Sequence, residues 1–182
     1  MYEITCNPGY HGATNHPGFP GVTDNTLPAC TANTYTVKFN ANGGTGTMAD
    51  QPFTYNAAQN LTANAFTRTG YTFKGWSLTE GSNTAAYGDK LSVQNLTETN
   101  GATVNLYAVW AANCNAITLN PNNGTAGTTA TLYKMTDNTK WYTDGKCTDE
   151  LQSDDHATLI PTRNGYTFRG FYLASSVADV TA

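Results

Sequence analysis

Charge is scarce in this sequence. Only 12% of its 182 residues are Asp, Glu, Lys or Arg, about half the ~25% share of an ordinary soluble domain. The 9 basic residues are outnumbered by 13 acidic ones, for a formal net charge of −4. Nucleic acid and anionic membranes both demand a basic face that displaces counterions, so neither is expected as a partner. Long apolar runs are missing too. Nothing approaches the roughly 18 consecutive apolar residues of a membrane-crossing helix, so no direct membrane insertion is expected. No window of about 11 residues carries the i, i+3, i+4 spacing of an amphipathic helix. The opening Met1-Tyr2-Glu3-Ile4-Thr5 lacks the basic-then-apolar pattern of a signal peptide.

Thr, Asn, Gly and Ala fill the space that charge leaves. Such a surface stays soluble through neutral hydrogen-bonding groups, a composition of secreted repeat proteins more than of cytosolic enzymes. Aromatics are plentiful, with 11 Tyr, 7 Phe and 3 Trp. That excludes a disordered linker and predicts packed cores.

The sequence repeats itself. Arg68-Thr69-Gly70-Tyr71-Thr72-Phe73-Lys74-Gly75-Trp76-Ser77-Leu78 recurs 95 residues later as Arg163-Asn164-Gly165-Tyr166-Thr167-Phe168-Arg169-Gly170-Phe171-Tyr172-Leu173, identical at seven of eleven positions. Upstream, Tyr35 to Thr45 resembles Ala116 to Thr125, and aligning Asn40 with Asn120 gives an offset of 80. The second copy therefore holds 15 extra residues between its two motifs, and the turn-rich segment 134–148 is their natural place. A weaker echo of Ile117-Thr118-Leu119-Asn120-Pro121 opens the chain as Ile4-Thr5-Cys6-Asn7-Pro8.

Period-two patterning predicts strands. Tyr35, Val37 and Phe39 would face one side, with Thr36, Lys38 and Asn40 on the other. Asn42-Gly43-Gly44 tolerates positive φ and suits a turn. Phe53 to Tyr55 reads as a returning strand. Gly70 to Leu78 reads as a third, with Gly75 a bulge or close-contact point. Ala102 to Trp110 closes the module. Leu61 to Phe66 is expected to form one helical turn. Nothing after Leu173 matches Val104 to Trp110, so the second copy is expected to lack its closing strand. That gap would leave an open sheet edge and marks the chain, as a sequence, as an excerpt of a longer array without its signal peptide and anchor.

These motifs resemble the Listeria–Bacteroides repeat, also known as the B-repeat of listerial internalins. Residues 35–110 carry all three of its parts: Asn42-Gly43-Gly44; Gly70, Tyr71, Phe73, Gly75 and Trp76; and Leu106, Tyr107 and Trp110. Residues 116–173 carry two, with Gly165, Tyr166, Phe168, Gly170 and Phe171 in the middle motif. The resemblance implies mainly β, β-grasp-like small modules (α+β in class) in tandem on bacterial surface or secreted proteins. It implies no catalytic residues, because the shared positions are packing and turn positions. The expected organisation is a Cys-containing segment over 1–34, a complete module over 35–112, and a second module over 113–182 with its insertion near 134–148.

Cys6, Cys30, Cys114 and Cys147 make an even count, which in an exported chain suggests disulfides. Four cysteines allow three pairings. Sequence neighbours would pair as Cys6–Cys30 and Cys114–Cys147; the alternative is four free thiols in a reducing compartment. Cys6, His11, His16 and Cys30 are zinc-type donors, but their spacings fit no finger pattern, so no metal is expected. Asp154-Asp155-His156 has no nucleophile elbow to serve. Asp137, Asp144 and Asp149 miss the calcium-loop spacing. No cofactor is expected and no enzyme. Trp76 and Trp110 belong to the repeat core, whereas Trp141 and Tyr142, in the insertion, are the candidate ligand contacts. Two functions follow as expectations. One is a stalk or spacer in an adhesin-like surface protein, partnered by neighbouring repeats. The other is a module that binds a host glycan or protein through 134–148.

Overall fold

The computed structural model describes residues 6–12 and 30–172. The chain divides into two compact units, one reaching Ala111 and the other starting at Ala112. The expected echo at Ile4–Pro8 begins outside the described residues, as do His16 and Leu173.

The first unit contains β1 (Tyr10–His11), β2 (Thr31–Ala32), β3 (Thr34–Asn40), β4 (Gln51–Thr54), β5 (Gln59–Asn60), β6 (Tyr71–Ser77), β7 (Ser92–Val93) and all but the last residue of β8 (Thr103–Ala112). Its main sheet has the order β4-β3-β8-β6. β3 runs antiparallel to β4 and parallel to β8. A module whose first and last strands lie side by side and parallel is the β-grasp-like arrangement. Pro52, which has no N–H to give to a ladder, sits on the edge strand β4, where sheets tolerate proline.

β3 alternates as its pattern demands. Tyr35, Val37 and Phe39 are buried, and Lys38 is exposed. They join Phe53, Leu61, Phe66, Trp76, Leu106 and Ala108 in one core. The ring of Trp76 is the centre of an aromatic cluster, 4.8 Å from Phe39, 5.0 Å from Phe73 and 6.1 Å from Phe66 between centroids. Such tilted and edge-on pairs add roughly 0.5–1.5 kcal/mol each beyond their burial. The Trp110 indole N–H donates to the Ala41 carbonyl at 2.9 Å, tying the end of β8 to the turn after β3. In that turn Asn42 and Gly43 both take positive φ, at 47° and 84°.

Leu61 to Phe66 is not helical, which corrects the expected turn of helix. Side chains take the amides that a helix would use. Gln51 accepts from the Thr62 N–H, Asp89 from that of Asn64, and the Asn64 side chain from that of Phe66, at 2.9, 2.9 and 3.0 Å. Extended, the segment drives both Leu61 and Phe66 into the core.

The cysteines at 6 and 30 are joined, and β1 pairs with β2 beside that link. The buried Asn33 holds this flap down. Its amide donates to the Glu98 carbonyl at 2.6 Å, and its oxygen lies 2.7 Å from His11 Nδ1.

The second unit contains β9 (Cys114–Thr118), β10 (Thr131–Met135) and β11 (Trp141–Tyr142), then a 3-10 turn at Ser153–Asp155 that runs into α1 (His156–Leu159). Its sheet has the order β11-β10-β9, all antiparallel. The insertion thus adds an edge strand, β11, and a loop. A second disulfide, Cys114–Cys147, ties that loop to the start of β9. Asp155 accepts from the Gln152 N–H at 2.9 Å and so caps the turn, which accounts for one of the two adjacent carboxylates.

Candidate recognition site

The insertion is built by local rules. β10 and β11 pair with Tyr133 opposite Tyr142 and Lys134 opposite Trp141. Successive residues of a strand point to opposite faces. Trp141 therefore points out, 38% exposed, while Tyr142 points in at 7% and receives a hydrogen bond from the Asn138 amide at 3.0 Å. The two cannot form one platform. Of the two candidate contacts, the structure offers only Trp141 to a ligand, and Tyr142 serves the fold. The Lys134 ammonium stands 4.9 Å from the centre of the Trp141 ring and covers one of its faces.

The loop beyond β11 is organised by one carboxylate. Asp144 Oδ1 accepts from the backbone N–H groups of Thr148 and Asp149, each at 2.8 Å. Its Oδ2 accepts from the Thr148 hydroxyl at 2.8 Å and the Lys146 N–H at 3.1 Å. These donors, the Asp149 N–H foremost, hold the Asp144 carboxyl down to about 2. The loop's acidic groups are thus engaged in hydrogen bonds within the loop. Across its base Lys140 pairs with Glu150 at 2.6 Å; the carboxylate hydrogen bond and charge raise the Lys140 pKa.

The zinc-type set cannot act as thiolates, because the sulfurs of Cys6 and Cys30 are bonded to each other. Among the described residues no three His, Cys, Asp or Glu side chains gather as a metal requires. Also among them, no helix is long and apolar enough to cross a membrane. Two disulfides fit an oxidising compartment.

The repeat-motif residues serve turns and packing. Arg68 stacks on Tyr71 at 3.8 Å and Arg163 on Tyr166 at 4.0 Å. Thr45 bridges Thr67, and Thr125 bridges Thr162. These devices define a class: a small repeated β module whose signature residues build its own framework. Residues 35–109 match the family model of the Listeria-Bacteroides repeat domain, so the resemblance carried by the motifs holds for the first unit. No curated protein and no solved structure gave a match.

Proposed function

We propose that this protein is a non-catalytic module of a bacterial surface or secreted protein, acting as a stalk or spacer in an adhesin-like chain. The observation that carries this reading is that the motif residues of the first unit are engaged in turns, bridges and aromatic packing, and that the second repeats the threonine bridge and the arginine–tyrosine stack. The match of residues 35–109 to a bacterial repeat domain supports it. Its partners on this reading are neighbouring repeats. The disulfide-intact chain, shown to be folded, is screened for turnover of generic ester, glycoside and peptide substrates and for binding to glycans and matrix proteins. The spacer reading expects neither; saturable turnover sinks it.

A second reading rests on the exposed Trp141 ring. Sugar rings stack on aromatic faces, and the Trp141 ring is partly exposed. On this reading the insertion 134–148 recognises a host glycan or protein. Trp141→Ala would abolish binding at full fold retention. Binding that survives the substitution refutes it.

A further inference from the structure

The turn and middle motif of the second unit repeat the first unit's positive-φ residues. Asn122 has φ 49° where Asn42 has 47°, and Gly170 has φ 137° where Gly75 has 138°. Phe168 and Phe171 meet at 5.0 Å and 63°, as Phe73 and Trp76 do at 5.0 Å and 66°. What differs is the neighbour. In the first unit β8 lies between β3 and β6. In the second, among the described residues, β9 is an edge strand and residues 166–172 are in no strand.

The core side chains record that difference. Val37 and Phe39 are buried, whereas their counterparts Ile117 and Leu119 are only half-buried. Trp76 is 0% exposed and its counterpart Phe171 is 42% exposed. Leu119, Pro161 and Phe171, the counterparts of Phe39, Phe66 and Trp76, line one shallow depression. A side chain at Gly75 would run into the Tyr87 carbonyl, while one at Gly170 would meet nothing within 4 Å.

We propose that this face of the second unit is an acceptor for an added β-strand. The occupant is an extended peptide segment of the β8 kind, with apolar residues at alternate positions, lying parallel to β9 and covering Phe171. The template is in the same molecule. β8 pairs with β3 in parallel register, Val37 with Val104 and Phe39 with Leu106, and the Asn42 amide donates to the Ala108 carbonyl at 2.8 Å. By the same register Ile117 and Leu119 would receive the first two apolar residues, and Asn122 would bond the strand's backbone. Among the described residues no strand pairs with the outer edge of β9, so its ladder groups there can supply affinity and the half-open apolar positions specificity. A second copy's β8 is already held inside its own sheet and is not free to fill this role.

The test uses the full disulfide-intact chain and a synthetic peptide with the sequence of Thr103–Ala112. Saturable binding is expected, with slowed amide exchange at residues 115–119 and 166–171. A scrambled peptide of the same composition and the Phe171→Ala variant should each bind about tenfold or more weakly. Phe171 is exposed, so its replacement leaves the unbound fold intact. Absent binding, protection confined to the first unit, or equal affinity of the scrambled peptide or of Phe171→Ala overturns the proposal.

Discussion

Phe66 meets the Trp76 indole nearly edge-on, at 6.1 Å and 72°, and buries the ring without bonding its N–H. Among the described residues, the Trp76 Nε1 is the buried side-chain polar atom without a hydrogen-bond partner. An orphaned buried donor costs about 1–3 kcal/mol. The second repeat has Phe171 at this position, which has no such donor. Trp76→Phe should therefore be mild, because loss of the orphan offsets part of the lost burial, whereas Trp76→Ala should cost about 3–5 kcal/mol. Urea denaturation of the two variants checks this; equal losses would contradict it.

Gly75 and Gly170 share one backbone conformation and differ in surroundings. Alanine at either position meets backbone strain of about 1–3 kcal/mol. Only at Gly75 does the added Cβ also collide, 2.4 Å from the Tyr87 carbonyl oxygen. Gly75→Ala should destabilise its unit clearly more than Gly170→Ala destabilises the second. Unit-resolved thermal melts by NMR measure both.

Asp144 makes the loop after β11 sensitive to acid. Its folded pKa, about 2, lies below the ordinary 3.8. A depressed carboxylate contributes order that is fully present above the ordinary value and is lost as pH falls through the folded one. The amide signals of Thr148 and Asp149 should hold their positions down to about pH 4 and move between there and about pH 2. Asp144→Asn should already show the displaced signals at neutral pH. Signals unchanged in that variant would remove Asp144 from the centre of the loop.

The link between Cys114 and Cys147 spans 33 residues. By chain entropy alone a loop of that length is worth about 3–4 kcal/mol. Replacing both cysteines by serine should lower the second unit's stability by about that amount and leave the first unit's melt in place. Loss of both units together would contradict this expectation.

Much of the first unit was legible because local and tertiary preferences agree there. The alternation of Tyr35, Val37 and Phe39 reports a one-sided strand, and Asn42-Gly43 reports its turn. Leu61 to Phe66 misled because its alanines favour a helix while Gln51, Asn64 and Asp89 compete for its amides. Gln51 and Asp89 are remote in sequence and gave no local signal. Trp141 and Tyr142 were read as one site although strand geometry separates them; the Thr131–Met135 pairing that makes their segment a strand was hidden in a polar, turn-rich stretch. The 3-10 turn and α1 are too short to leave a helical period.

The second unit repeats the first unit's framework while, among the described residues, no strand lies on the outer edge of β9. Amide hydrogen exchange of the full chain at neutral pH, resolved by residue, tests it most directly. β3, β6 and β8 should exchange slowly, while residues 166–171 exchange nearly as fast as an unstructured peptide. Protection at 166–171 equal to that at 71–76 would mean that the strand position is filled, and would contradict the account.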